Sequence, residues 1–223
     1  SDDVNVGFCS DVYESLAVVG AKDKGSSGQA YLFERNMVGV WTEVANWNGS
    51  DFGTSGNADF GASCDVAGTE NFGPGITAFA VIGAPEDDLG SGSDHGAAYV
   101  FERNGAGVWS FVQKIQASSI QTEADFGFDV AITEEGYIIA GAPDEDFGIS
   151  CTIFGFDNED KGAAYIYERN GSWPTTETQR VQALGPFCDD NFGEGVGIDG
   201  IFAMIGAPGR TQIIFEFPFA LTD

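Results

Sequence analysis

The sequence predicts an all-β fold of about four blades, each built from four short antiparallel strands, and three observations carry that prediction. One pattern recurs along nearly the whole chain: Phe-Gly, then about twenty residues on Gly-Ala-Pro, then Gly-Ala-Ala-Tyr-Val-Phe-Glu-Arg-Asn. From Gly61 to Gly127 to Gly193 the step is 66 residues each time, and such a period marks a repeat architecture whose units stack on one another. Within each repeat the apolar residues fall in short β-branched and aromatic runs bounded by Gly, Pro, Asn and Asp, as strands do. No window sustains a helical period of apolar residues.

The elements follow in order. The first copy is worn: Val6-Gly7, Gly20-Ala21, then Gly28 to Asn36. The second reads Phe60-Gly61, Gly83-Ala84-Pro85 and Gly96 to Asn104, and the third Phe126-Gly127, Gly141-Ala142-Pro143 and Gly162 to Asn170. The last has Phe192-Gly193, Gly206-Ala207-Pro208 and a degraded third piece, Ile213 to Phe217. In the third repeat Phe128, Val130 and Ile132 mark a first strand, Tyr137 to Ala140 a second, and Ala164 to Tyr167 a third. A fourth is clearest around Trp109, Phe111, Val112 and Ile115 of the second repeat. Asp199-Gly200 and Asn170-Gly171 read as two-residue hairpin turns, whose central residues need positive φ. The chain is thus one repeat domain, 1–223, with blades at approximately 4–50, 59–118, 125–184 and, incomplete, 191–219. Four antiparallel strands per repeat make a propeller blade, so the fold class is a β-propeller or a propeller segment.

With these residues in hand the chain resembles a known family. Phe-Gly followed by Gly-Ala-Pro is the pattern of the FG-GAP repeats of the integrin α-subunit β-propeller. The Gly-Ala-Ala-Tyr-Val-Phe-Glu-Arg-Asn-Gly…Trp version looks like those of large secreted bacterial and algal proteins. The resemblance runs from Val6 to Phe217 and implies the fold; function must be argued from a site. Many integrin-type blades carry an Asp-x-Asp-x-Asp-Gly calcium loop, and calcium wants about six to eight oxygen ligands. The corresponding turns here, Tyr13-Glu14-Ser15, Thr133 to Gly136 and Asp199-Gly200, are too short and too poor in oxygens. The longer insert from Gly68 to Thr77 has Glu70 as its only acid. The family's calcium site is not carried over.

Acid gathers instead in the loop after Gly-Ala-Pro. Glu86, Asp87, Asp88 and Asp94 stand there in the second repeat; Asp144, Glu145 and Asp146, then Asp157, Glu159 and Asp160, in the third. Glu86, Asp87, Asp88, Asp144, Glu145 and Asp146 are candidate calcium ligands, since oxygen-only donors favour hard cations; the competing reading is a solvated acidic rim. No cofactor is required. The formal net charge is -26, from 35 acids against 9 bases. Nucleic acid is thereby excluded as a partner, because binding it needs basic patches, and an anionic membrane surface is disfavoured likewise. Such an excess keeps a protein soluble but self-repelling unless salt screens it, which suits a salty extracellular setting.

The four cysteines are Cys9, Cys64, Cys151 and Cys188. Paired cysteines in an oxidising compartment are the leading reading, with Cys151–Cys188 first and Cys9–Cys64, on neighbouring inner strands, second. Four cysteines allow three connectivities, among which sequence does not select; the alternative is buried free thiols. Asn48-Gly49-Ser50 and Asn170-Gly171-Ser172 are glycosylation sequons. No signal peptide is seen, and Ser1 is compatible with a processed N-terminus. No apolar stretch is long enough to span a bilayer as a helix. Together these place the chain outside the cell or on its surface.

Catalytic patterns are scarce. There is no Gly-x-Ser-x-Gly turn and no phosphate-cradling Gly-x-x-x-x-Gly-Lys, and the single histidine, His95, reads as an exposed loop residue. The chain is therefore expected not to be an enzyme. Trp41, Trp109 and Trp173 recur at corresponding places and are expected between blades or at the start of the outermost strand; the alternative is a lectin platform. Glu-Arg in each repeat reads as a local ion pair. After Phe192-Gly193 only three strands precede Asp223, where propellers of the resembled family typically have about seven blades. A longer parent chain, completion by a neighbour and a compact four-bladed ring all remain open. The functional expectation is a non-catalytic extracellular module for adhesion or assembly into a matrix, sheath or filament. Its partners would be proteins or copies of itself, engaged through loops or an open sheet edge; the alternative is a carbohydrate-binding propeller.

Overall fold

The computed structural model describes residues 5–68, 76–88, 94–119, 121–146, 160–184, 189–209 and 217–218. They form four antiparallel sheets, each a meander in chain order. The first blade holds β1 (Ser10–Tyr13), β2 (Leu16–Ala21), β3 (Gln29–Arg35) and β4 (Trp41–Asn48). The second holds β5 (Ser63–Gly68), β6 (Ile76–Ala84), β7 (Ala97–Asn104) and β8 (Trp109–Ile115), and the third β9 (Val130–Ile132), β10 (Tyr137–Ala142), β11 (Ala163–Glu168) and β12 (Gln179–Val181). The fourth has three strands, β13 (Val196–Asp199), β14 (Phe202–Ile205) and β15 (Phe217–Pro218). The innermost strands β1, β5, β9 and β13 adjoin in series, which is the arrangement of propeller blades. Among the described residues the one helical piece is the 3-10 turn Gly49–Phe52.

A blade held between two others must be apolar on both faces, and β6 shows how a strand meets that demand. Ala78, Ala80 and Ile82 pack with Leu16, Val18 and Leu32 of the first blade. The intervening Phe79 and Val81 pack with Ile138, Tyr165 and Trp173 of the third. Alternate side chains point to opposite sheet faces, so two buried faces produce the uninterrupted apolar run seen in sequence. A third cluster joins Ile139 and Ile166 of the third blade to Ala203 and Ile205 of the fourth.

The signature residues form the joints between blades. Phe60, Phe126 and Phe192 are buried. The glycine after each donates its N–H to the Gly-Ala-Pro glycine of its own blade: Gly61 to Gly83 at 2.9 Å, Gly127 to Gly141 at 2.8 Å, Gly193 to Gly206 at 2.8 Å. Across each joint the Phe-Gly glycine of one blade then presses its carbonyl onto the Gly-Ala-Pro glycine of the blade before. A Cβ on Gly83 would overlap the Gly127 carbonyl oxygen, and the same holds for Gly20 under Gly61 and Gly141 under Gly193. Short parallel bridges, Gly28 to Phe60, Gly96 to Phe126 and Gly162 to Phe192, complete the seam. Two turns differ from expectation: Asn170 pairs with Ser172, so Gly171 alone, at φ 75°, stands at that turn. Asp199 pairs with Phe202, so the last hairpin turns on Gly200-Ile201 rather than Asp199-Gly200, with Gly200 at φ 55°.

Candidate functional site

Outside the glycine joints, the blades are clamped by the Glu-Arg pair. Glu34 accepts from the Arg103 guanidinium at 2.7 and 3.0 Å and from the Trp109 indole N–H at 3.3 Å. Glu102 accepts from Arg169 at 2.9 Å and from Trp173 at 3.0 Å. The pairing expected within each repeat is thus corrected. Each glutamate reaches the arginine and tryptophan of the next blade, because neighbouring residues on a strand point to opposite faces. Trp173 also stands edge-on over Phe79 at 5.4 Å between ring centroids. The Arg103 hydrogen bonds and charge hold the Glu34 carboxyl below its usual range, against the opposing effect of burial. Trp173 is buried in this seam, Trp109 is half-buried there, and Trp41, in the first blade, is exposed. Arg169 and Glu102 are 8% and 15% exposed, against 23% and 25% for Arg103 and Glu34. Glu102→Ala, which takes the carboxylate from a nearly buried guanidinium, is therefore expected to cost on the order of 3 kcal/mol. Glu34→Ala should cost about 1 kcal/mol. Denaturant melts of the two variants check the order.

The acidic loops after Gly-Ala-Pro are partly structural. Asp87 is fully buried; it accepts from the Tyr99 hydroxyl, from the Ser55 N–H at 2.9 Å and from Lys114 at 2.7 Å. Glu145, in the matching place of the third blade, is fully buried and paired with Arg180 at 3.1 Å. Burial, followed by Asp87 and Glu145 respectively, pushes the Tyr99 and Tyr165 hydroxyls well up. The first blade inverts the charge: Lys24 takes the loop position and meets the Tyr31 hydroxyl. Asp87 and Glu145 are thus neutralised by protein cations. Glu86 and Asp146 are exposed, while Asp88 and Asp144 are half-buried, with Asp144 accepting from the Asn191 amide at 3.4 Å. Among the described residues no three of these groups converge as a metal site would require. Asp94 is exposed and Asp160 half-buried; Asp157 and Glu159 lie outside the described residues. His95 is half-buried rather than exposed, and its carbonyl accepts from the Phe126 N–H at 3.2 Å.

A second set of carboxylates was not singled out from sequence. Asp11, Asp65 and Asp129 stand at the inner strands and each reaches the next blade. Asp11 accepts from the Val66 N–H at 3.3 Å, Asp65 from Ile132 at 2.7 Å and Asp129 from Val196 at 2.7 Å. Asp65 and Asp129 use their other oxygen on the following amide of their own strand. Asp11 and Asp65 sit at one offset from the Phe-Gly-type glycine and Asp129 at another, so the repeat alignment does not line up all three. Burial, then a hydrogen bond to Asp11, pushes the Asp65 carboxyl up to about 8. A depression of about 700 Å³ includes Lys22, Asp59, Glu86, Asp125 and Glu194 in its lining. There Lys22 pairs with Asp59. Asp125, facing Asp144, Asp94, Glu86 and Asp59, is raised to about 7 by burial and by those like charges.

Cys9 and Cys64 form a disulfide that staples the inner strands of the first two blades, with Cα atoms 5.8 Å apart. Cys151 and Cys188 lie outside the described residues. A link closing a 55-residue separation removes loop entropy from the unfolded chain worth about 4 kcal/mol. The Cys9→Ser/Cys64→Ser variant is expected to lose that amount in denaturant melts, and reductant should lower the melting temperature of the parent protein by more than that of the variant. Of the sequon asparagines, Asn170 is exposed at a tight turn. Asn48 is half-buried, and its side-chain oxygen accepts from the Ser50 N–H at 3.2 Å and hydroxyl at 2.9 Å.

Blades joined through paired glycines, a glutamate–arginine–tryptophan clamp and inner-strand carboxylates define a β-propeller-type repeat protein. The family model described as FG-GAP repeat matches residues 109–167, and the chain carries that repeat. The match opens at Trp109 on β8 and closes at Tyr167 on β11. The match thus covers the outer strand of the second blade and the first three strands of the third. No curated protein matches the chain.

Proposed function

We propose that this chain is a non-catalytic extracellular interaction module that mediates adhesion or assembly into an extracellular matrix, sheath or filament. The observation that carries the reading is the use of its polar side chains. The carboxylates that converge inside the protein, Glu34, Glu102, Asp87, Glu145, Asp65 and Asp129, all hold one structural element to another. What remains for partners is rigidly presented surface, as in other repeat scaffolds. FG-GAP repeats are generally interaction modules, and the Cys9–Cys64 link suits an oxidising compartment. Among the described residues no helix is long and apolar enough to cross a membrane.

The test is retention of the source organism's insoluble extracellular material on the immobilised protein, with free monosaccharides as competitors. Saturable retention unaffected by sugars supports the proposal; release by sugar would turn the reading to a lectin, and no retention would sink both. The module is proposed to work without a cofactor. Because Asp87 and Glu145 already have protein cations as partners, removing calcium with a chelator is expected to leave the melting temperature within about 1 °C, a shift of a few tenths of a kcal/mol at most. A clear drop would instead make the exposed acids Glu86 and Asp146 calcium ligands.

A further inference from the structure

The three joints between blades handle one position differently. Just before the Phe-Gly phenylalanine stand Asp59, Asp125 and Asn191, and just after the Gly-Ala of the preceding blade stand Lys22, Pro85 and Pro143. At the first joint the two places are matched: the Lys22 ammonium pairs with Asp59 and lies over the Phe8 ring, 4.8 Å from its centroid. The third joint combines Asn191 with Pro143 and has no charge to match. The second combines Asp125 with Pro85, a carboxylate with a residue that has no ammonium to give. Asp125 and Asp59 share φ 54°, so their backbones are alike. Asp125 is half-buried, and no described group donates a hydrogen bond to its carboxylate. The charged groups around it, Asp144, Asp94, Glu86 and Asp59, are all acids.

The second joint also has room. Ala62 stands where the first joint has Phe8, so ring and lysine are both replaced by smaller residues. Ala62, Pro85, Asp125 and Phe128 all line the depression of about 700 Å³, and Phe128 is 42% exposed. These four residues belong to the second and third blades, each of which has a blade on both sides. We propose that Asp125 and the depression beside it receive a lysine side chain from a protein partner, whose ammonium takes at the second joint the place that Lys22 holds at the first. Such a side chain suits both parts of the lining: its charged head meets the carboxylates and its apolar stem lies against the Phe128 ring. A metal ion suits it less, because among the described residues no three acids converge. The net charge of -26 draws a basic segment toward the site. The inference rests on the interaction-module reading and names the chemistry of the partner.

NMR titration of the full chain with acetyl-Gly-Lys-Gly-amide tests it, at about pH 8 and about 0.15 M salt with chelator present. The same peptide with acetyl-lysine is the control. One saturable site per chain is expected for the lysine peptide and none for the control. Asp125→Asn, which keeps a residue tolerant of the left-handed backbone, should weaken binding at least tenfold. Asp51→Asn, at an exposed acid outside the lining, should leave it within about twofold. Lys22→Ala should raise the stoichiometry to two, because it frees Asp59. Burial and then the four neighbouring acids raise Asp125 to about 7, so the affinity should fall as pH drops through about 7. Absence of binding overturns the proposal, as does a loss in Asp51→Asn equal to that in Asp125→Asn, or a stoichiometry of one in Lys22→Ala. Butylamine binding as tightly as the peptide would give the site to small amines and overturn the protein partner. A chain that retains extracellular material yet binds no lysine peptide loses this site and keeps the interaction reading.

Discussion

Gly83→Val is expected to leave the protein unable to reach its folded state. Gly83 lies at the end of β6, and its Cβ direction points into the carbonyl of Gly127 and the hydroxyl of Ser63. Ordinary overpacking of a core costs about 1–3 kcal/mol because side chains shift into new rotamers. Here the obstruction is backbone on the facing blade, so relief requires the second and third blades to part. That motion would pull Phe126 from its buried seat and break the short bridge to Gly96. Losing a large buried aromatic alone costs about 3–5 kcal/mol, which compares with the whole stability of a domain, about 5–15 kcal/mol. Soluble yield and a circular-dichroism melt are the measurements. Gly195→Ala is the control, since nothing lies within 4 Å of its Cβ direction; it should stay within about 0.5 kcal/mol of the parent. A Gly83→Val protein melting within a few degrees of the parent would show that the glycine joint does not hold the blades.

The contrast between Gly83 and Gly195 also marks what sequence can and cannot disclose. The repeat and its four-strand blades were legible, because they follow from periodicity and side-chain type. The reason for the glycines was not, since a close approach between chain segments about 40 to 60 residues apart leaves no local signal. The Glu-Arg pair was visible but assigned to the wrong blade. Adjacent letters suggest adjacent charges, whereas a strand turns adjacent side chains apart. A Glu-to-Arg spacing of nearly one repeat, from 34 to 103 and from 102 to 169, was the available clue. The acidic loops looked alike as strings of carboxylates. Only the fold separates buried Asp87 and Glu145, opposite Lys114 and Arg180, from exposed Glu86 and Asp146. The inner-strand aspartates escaped notice because Asp65 follows its Phe-Gly glycine by four residues and Asp129 by two. Alignment by motif therefore places them in different columns, although both bridge to the next blade.

Those inner carboxylates give the second large effect: the protein should be more stable in mild acid than at neutral pH. Burial and the neighbouring Asp11 raise Asp65 to about 8, and burial with four nearby acids raises Asp125 to about 7. An unfolded aspartate titrates near about 3.9, so the folded protein holds protons that the unfolded chain releases. Stability from these groups is fully present below about pH 4 and is lost as pH rises through about 7 and then about 8. Glu34 acts with the opposite sign. Its carboxyl is lowered, so its contribution is present above about pH 4.3 and is lost on further acidification. The optimum should therefore fall near about pH 5, with melting temperature declining steadily to pH 8. Asp125→Asn should make the decline shallower up to about pH 7, and Asp65→Asn should make it shallower up to about pH 8, so above about pH 7 only Asp65→Asn acts. Salt separates this mechanism from general repulsion by the net charge of -26. Screening weakens repulsion between exposed charges but reaches buried carboxylates much less. A decline that survives about 1 M salt and disappears in the two asparagine variants locates it at the blade seams. A stability that rises from pH 5 to 7 would mean that Asp65 and Asp125 are ionised throughout, and that the inner strands tolerate adjacent negative charges without sharing a proton.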